Sequence, residues 1–380
     1  MSGRVLIAGG GTGGHVFPSL AVATALRDTG LEVEFIGTSQ GLEARLVPEA
    51  GWTLHRVDTA PLARKASLST LRLPFVVLRA MRQAVGIIRE REVTAACVFG
   101  GYASVPLALA ARRTKIPLVV HEQNAIPGLA NRLAAQWATA VAVSVPGSGK
   151  RFRDPDRVAL TGNPVRSGFA GVDLAGSRPE ALAAFDLDPA RRTLLVFGGS
   201  QGARTLNDAT VGSLGLWNDP GRLQILHVAG RGDYERVGTA WDRALDEHGD
   251  AAPLVRCHEF VTDMAAAYAA ADLVACRAGA STIAELTVLG LPSVLVPYPH
   301  ATDDHQTANA RALADAGAAK LVPDAWLAPR SLVATTEPWL TDDDARAQAA
   351  VAARSLGHPD AAQRVADMVA RAANRSEGRP

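Results

Sequence analysis

The chain has 380 residues, 48% of them hydrophobic and 20% charged, with a formal net charge of +1. That balance fits a globular protein able to bury a sizeable core over two or three domains, and it excludes disordered and collagen-like chains. It offers no global attraction for nucleic acid, so none is expected as a partner, and any electrostatic preference is local.

In chain order, the first apolar run, at 4–8, is short and runs straight into glycines. It reads as a strand, not a signal peptide. Further strand patterns follow at 32–37, 54–57, 95–99, 117–121, 140–143 and 158–160. Helical patterns at 18–27, 67–90 and 105–112 lie among them. Alternation of this kind predicts βαβ units and a mainly parallel sheet. From "LTGNPVRSGF" to about residue 192 the rhythm breaks into turn residues and polar positions, which reads as a linker. The pattern restarts at "TLLVFGGSQGARTLNDA", with strands to follow at 223–229, 254–260, 273–276 and 293–296. Two doubly wound α/β domains of similar plan are therefore expected, with ligands beyond the C-terminal ends of their strands. The tail from Thr341 reads as alanine- and arginine-rich helix of weak amphipathicity. Cys97, Cys257 and Cys276 form no CxxC, which argues against a zinc site or disulfide framework. No segment approaches the roughly 20 apolar residues of a membrane span.

Three glycine- and small-residue turns carry the chemistry. "GGGTGGHVFP" places five glycines in the six positions 9–14 between a strand and a helix, with Pro18 in the first helical turns. GxGxxG alone is a weak signal, and the second strand ends on Ile36-Gly37 without the acid that would hold a dinucleotide ribose. An anion or sugar against bare backbone at a helix N-terminus fits better; a tight turn without a ligand is the alternative. His15 follows directly and is able to take a proton near neutral pH, although a histidine in such a place can equally do no more than bond a loop carbonyl. "FGGSQGAR" adds the hydroxyl of Ser200 to free amides at a helix start, which suits a diphosphate. "CRAGASTIAEL" puts small residues from Ala278 to Thr282 before a helix. Glu285 lies one turn in, where a carboxylate can accept from both ribose hydroxyls or serve only as a cap partner. His121, Glu122 and Asn124 end a strand. Adjacent strand residues point to opposite faces, so His121 and Glu122 do not make a metal pair, and no metal is expected.

Taken together, "GGTGGHVFP", "GGYAS", "HEQNAIPG", "GNPVR", "GGSQGAR", "DMAAAYAAADLVACRAGASTIAEL" and "HQTANA" resemble the lipid-linked N-acetylglucosaminyltransferases of peptidoglycan synthesis, the MurG family, over residues 5–320. The resemblance implies the GT-B fold, two Rossmann-like domains facing across a cleft. The expected domains are an acceptor domain at 1–163, a donor domain at 164–340, and C-terminal helices at 341–380 packing back toward the first. It implies transfer of N-acetylglucosamine from UDP-GlcNAc to the muramyl 4-hydroxyl of lipid I with inversion, giving lipid II, without a cofactor. By resemblance Ser200 faces the diphosphate and Val261 the uracil. Ala280, Ser281, Thr282, Ile283 and Ala284 meet the phosphates and nucleoside, Glu285 the ribose, and Gln306 the GlcNAc hydroxyls. Arg166 reaches the donor from the hinge, while Thr12, Gly13, Gly14 and Asn124 close on the sugar. Tyr102 and His121 are expected at the acceptor. His15 is the candidate base, with Glu122 as its rival. The loop "HATDDHQ" is longer than in other members, which leaves the residues before Gln306 without a transferred role.

A lipid-linked acceptor implies a peripheral enzyme at the cytoplasmic side of the cell membrane, working with cell-wall synthesis and division complexes. In "LARKASLSTLRLPFVVLRAMRQ", Leu71, Phe75 and Leu78 share one side of a helical wheel with Arg72 and Arg79 beside them, as an anionic membrane surface would require. Packing of that side against the first sheet is the alternative. Other readings are a GT-B enzyme with a different lipid or small-molecule acceptor, a non-catalytic nucleotide-sugar-binding protein and, third, a NAD-linked dehydrogenase.

Overall fold

The computed structural model describes residues 3–58, 68–166, 168–169, 171–249 and 252–377, with side chains at all of these except 68–73 and 375–377. The chain forms two compact units, Met1–Ser167 with His358–Pro380, and Gly168–Gly357. The first contains β1 (Arg4–Ala8), α1 (Gly13–Arg27), β2 (Glu32–Gly37), α2 (Glu43–Glu49), β3 (Leu54–Arg56), α3 (Leu68–Glu90), β4 (Val93–Val98), α4 (Ser104–Thr114), β5 (Leu118–Glu122), α5 (Leu129–Ala135), β6 (Ala140–Val143) and β7 (Val158–Leu160). The second contains α6 (Leu174–Ala184), β8 (Arg192–Phe197), α7 (Arg204–Val211), β9 (Leu223–Val228), α8 (Tyr234–His248), β10 (Leu254–His258), α9 (Met264–Ala270), β11 (Leu273–Cys276), α10 (Ala280–Leu289), β12 (Ser293–Leu295), α11 (His305–Asp315), β13 (Ala319–Leu321), α12 (Pro329–Thr341) and α13 (Asp343–Ser355). The chain then returns to the first unit as α14 (Ala361–Glu377).

Both sheets are parallel throughout the described strands. The first runs β3-β2-β1-β4-β5-β6-β7 and the second β10-β9-β8-β11-β12-β13. Parallel strands covered by helices on both faces need apolar side chains on both, and Val5, Leu6 and Ile7 of β1 are all fully buried. Strand order reverses between β1 and β4 in the first sheet and between β8 and β11 in the second. Such reversals open a crevice at the C-terminal strand ends, where ligands of open α/β sheets bind. The glycine turn 9–12 and the turn 99–103 flank the first reversal; the turns 198–203 and 277–279 flank the second.

Two sequence expectations are corrected here, and one strand is added. The stretch read as a linker contains α6. Its polar face and Pro179 hid it, but Asp173 caps it by accepting from Gly176 N–H, and Ala181 and Leu182 are buried. The weak amphipathicity read for the tail does not hold for its last helix. In the tail, α13 packs on α10, and α14 buries Val365, Ala366, Met368, Val369 and Ala372 against Val5, Ile7, Val22 and Leu26 of the first unit. That i, i+3, i+4, i+7 spacing is a one-sided apolar stripe. The added strand is β13, whose three residues carry no readable alternation in the sequence.

Candidate active site

The glycine turn after β1 delivers His15 into the first turn of α1. Thr12 is the N-cap position, and no side chain caps the helix. His15 Nδ1 lies 3.0 Å from the Gly10 carbonyl and 3.2 Å from Thr12 Oγ1. A carbonyl only accepts, so Nδ1 carries the proton and Nε2 is the basic nitrogen of the neutral ring. Gly100 stands opposite: a Cβ there would lie 2.9 Å from His15 Nε2, so only glycine fits against that edge of the ring.

A cavity of about 280 Å³ opens beside His15. Gly100, Gly101 and Tyr102 form one side, Gln123, Asn124 and Gly128–Asn131 another, and Val77, Val105 and Leu129 supply apolar walls. Glu122 forms part of its floor and is almost fully buried. Its Oε1 accepts from Asn124 N–H (2.9 Å) and Asn124 Nδ2 (3.3 Å), its Oε2 from Gly128 N–H (3.1 Å) and Asn131 Nδ2 (2.8 Å). Burial pushes this carboxyl above its usual range despite these bonds. Both oxygens are engaged in folding the loop 123–131, which makes Glu122 the organiser of the cavity wall. His121, expected at the acceptor, does not line the cavity. It is fully buried against the Phe99 ring, with Nε2 at 3.3 Å from Ser144 Oγ and 3.4 Å from the Gly162 carbonyl, and burial holds its pKa down to about 4. Tyr102 lines the cavity and is 39% exposed. The Arg166 guanidinium lies over the Phe17 ring of α1, 5.0 Å from its centroid.

In the second unit, α7 and α10 begin beside the strand reversal, and no side chain caps either. Their first N–H groups therefore have no intrahelical partner, which is the property that binds anions at helix starts. Ser200 is exposed on the turn before α7. Ser281 Oγ is buried without a hydrogen-bond partner among the described residues, at the start of α10 beside Ala280 and Thr282. One turn on, Glu285 is 8% exposed and accepts from the Tyr268 hydroxyl at 2.9 Å. Ile283 and Ala284 are buried against the core, as is Val261. Gln306 Oε1 accepts from Tyr298 N–H at 2.9 Å. The long loop before it turns through two left-handed residues, Asp303 (φ +52°) and Asp304 (φ +51°).

Sequence reasoning missed Tyr268 and Glu43. Tyr268 lies in a quoted motif, but its pairing with Glu285 spans two elements. Glu43 opens α2 and is 2% exposed; its Oε2 accepts from Gly11 N–H at 2.8 Å, and its Oε1 from Thr38 N–H and Oγ1 at 3.1 and 2.7 Å. The signal available was an acid two residues after the second glycine of "GTSQGLE". The docking candidates fall on α3. Phe75 is 74% exposed, and Leu78 is exposed too. Arg79 is exposed and pairs with Asp58 at 2.8 Å. The side chains of Leu71 and Arg72 lie outside the described residues. The opposite side of α3, through Ala80, Ala84 and Ile88, enters the core. Among the described residues no cluster of three or more His, Cys, Asp or Glu could hold a metal, and no helix is long and apolar enough to cross a membrane.

Comparison with known proteins matches residues 5–143 to the glycosyltransferase family 28 N-terminal domain and residues 193–365 to its C-terminal domain. Its relatives include two named UDP-N-acetylglucosamine–N-acetylmuramyl-(pentapeptide) pyrophosphoryl-undecaprenol N-acetylglucosamine transferase. One, from Syntrophotalea carbinolica, is 41% identical over 95% of this chain and 97% of its own length. The other, from Acidithiobacillus ferrooxidans, is 43% identical over 96% and 97%. Among solved structures, the MurG of Acinetobacter baumannii aligns with a TM-score of 0.78 at 32% identity, covering 97% of this chain and 99% of that one.

Proposed function

The chain belongs to the MurG family, within glycosyltransferase family 28, and has its GT-B fold of two Rossmann-like domains; from this we infer that it is a UDP-GlcNAc-dependent glycosyltransferase that moves N-acetylglucosamine to the muramyl 4-hydroxyl of lipid I and so forms lipid II. The observation that carries the catalytic reading is the His15 ring, oriented by the Gly10 carbonyl with Nε2 beside a cavity able to take a sugar. His15 Nε2 takes the proton as the acceptor hydroxyl oxygen bonds the anomeric carbon. The bond from that carbon to the β-phosphate oxygen breaks, and UDP leaves with the electron pair. The starts of α7 and α10 meet the diphosphate and its growing charge, with Ser200 and Ser281 as hydroxyl donors. Glu285 holds the ribose, braced by Tyr268, while Gln306 and Asn124 meet the transferred sugar. Glu122 shapes the acceptor wall. Its four donors support that role over the base.

The acceptor is lipid-linked, and each CH₂ drawn from a bilayer costs about 0.8 kcal/mol, so the enzyme works at the membrane surface. What supports α3 as the docking element is its exposed Phe75, Leu78 and Arg79 together with Val77, which lines the acceptor cavity from the same helix. Incubation with labelled UDP-GlcNAc and a lipid I analogue tests the whole reading: a labelled disaccharide product with the inverted linkage is expected, and hydrolysis of the donor alone overturns it.

A further inference from the structure

One buried carboxylate outside the reaction described above, at the start of α2, packs against the glycine turn after β1. Glu43 is surrounded by glycines. A Cβ on Gly10 would come within 2.6 Å of its carboxyl carbon and one on Gly37 within 2.7 Å of its Cγ, while one on Gly41 would overlap the carboxylate itself. Packing of this kind fixes one carboxylate against one peptide group. The peptide is that between Gly10 and Gly11. Its N–H donates to Glu43 Oε2 at 2.8 Å, and its carbonyl, at the other end, accepts from His15 Nδ1 at 3.0 Å. Amide resonance links the two ends: drawing the N–H toward a negative charge places more negative charge on the carbonyl oxygen.

We propose that Glu43 is a positioning residue for the transfer reaction, acting on His15 through the Gly10–Gly11 peptide as a carboxylate–peptide–imidazole relay. The relay holds the Nδ1–H tautomer, aims Nε2 at the acceptor, and stabilises the imidazolium that forms when the hydroxyl proton arrives. No proton moves along it; the peptide is polarised and the proton on Nδ1 stays there. The proposal rests on His15 being the base. Burial pushes the Glu43 carboxyl up, but the bonds from Gly11 and Thr38 outweigh it and leave the group below the usual carboxylate range, hence charged at neutral pH. Other groups bear on the same ring. His121 of β5 lies close enough to couple with it, while Glu122 of β5 and Tyr102 before α4 share the cavity wall.

The test reads His15 directly, by long-range ¹H–¹⁵N correlation spectra of its ring across pH, beside kcat and the KM for UDP-GlcNAc. The neutral wild-type ring is expected to carry its proton on Nδ1; a proton on Nε2 overturns the relay. In Glu43→Gln the titration midpoint of His15 is expected to fall by about one pH unit. There kcat at neutral pH should fall on the order of tenfold with the donor KM unchanged. An unchanged midpoint and tautomer in the folded variant overturns it. If Glu43→Gln does not fold, Thr38→Val decides. Removing a donor makes the remaining carboxylate a stronger acceptor, so the midpoint should rise; no change, or a fall, counts against the relay. The two readings fail separately: full turnover in His15→Ala removes the base, whereas the ring's tautomer and titration report the relay whether or not His15 is catalytic.

Discussion

The turn after β1 and the turn after β8 are the same device made twice. Each leaves the C-terminal end of the first strand of its unit, each is glycine-rich, and each opens a helix that no side chain caps. Their surroundings differ. The first carries an imidazole in its helical turn and is braced from behind by the buried Glu43. The second carries Ser200, and Asn207, whose Nδ2 donates to the Ala229 carbonyl and Asp233, packs against Gly202 of the turn without bringing it an ionisable side chain. Backbone amides suffice to hold a diphosphate, because the ligand brings its own charge. Moving a proton needs a side chain whose tautomer and orientation are set by a further shell of contacts, and the first turn has that shell.

The sharpest way to break the comparison is to make the first turn like the second. His15→Ala is expected to lower kcat by about 10²- to 10⁴-fold. UDP binding, measured by calorimetry, should stay near wild type, since the proposed diphosphate and ribose contacts all come from the second unit. Loss of UDP binding together with turnover would mean that the first turn is also a donor site and that the division of labour is wrong.

Close in size is the donor side. Glu285→Ala removes a charge-assisted acceptor whose bonds are worth roughly 1.5–3 kcal/mol each. With two ribose hydroxyls held, donor KM should therefore rise about 10²- to 10⁴-fold, at tenfold per roughly 1.4 kcal/mol, with kcat less affected. Tyr268→Phe should show a weaker version of the same change, because it removes only the hydroxyl that braces Glu285. A wild-type KM in both variants would take the ribose away from Glu285.

How much of this was legible in the sequence follows from the range of each signal. The parallel sheets, the three turns and His15 announce themselves within short windows, because glycines, apolar runs and an imidazole are local features. Contacts between elements do not. Glu43 reads as an ordinary acid in a first helical turn until Gly10, Gly37 and Gly41 are folded around it. Glu122 reads as a rival base because its four donors, from Asn124, Gly128 and Asn131, appear only once the loop has closed. His121 reads as an acceptor ligand because nothing in "VVHEQN" says that its ring turns inward to Phe99. The helix α6 was lost for a different reason: its stabilisation comes from packing on α9, not from a strong pattern of its own.

Each unit also keeps one fully buried neutral histidine, His121 in the first and His227 in the second, where Trp241 Nε1–H donates to its Nδ1 and its Nε2 donates to Asn207 Oδ1. Burial holds both at about 4, below the usual 6.5. As pH falls through 6.5 the unfolded chain takes up protons that the folded chain refuses, so stability falls until about pH 4 and then levels. At pH 5 each should cost its unit roughly 2 kcal/mol relative to pH 7. Urea unfolding at the two pH values checks this, and His227→Phe should flatten the pH dependence of the second unit alone. An equally steep dependence in that variant would place its source elsewhere.

The smallest expected effect tests whether the first unit alone meets the membrane. Phe75 and Arg79 stand exposed on α3, and Arg79 already shares its charge with Asp58, so its gain at an anionic surface is at most on the order of 1 kcal/mol. Phe75 adds apolar burial that salt does not screen, whereas the arginine's share weakens as ionic strength rises. Phe75→Ser with Arg79→Glu should therefore reduce co-sedimentation with anionic vesicles by about tenfold at low salt and by less at high salt. It should slow transfer to a long-chain lipid I by a similar factor while leaving a short-chain, water-soluble acceptor untouched, because neither residue lines the cavity at His15. Equal loss with both acceptors would mean that α3 shapes the acceptor cavity and that the bilayer contact lies elsewhere. Unchanged vesicle binding in the folded variant would return Phe75 to the ordinary surface.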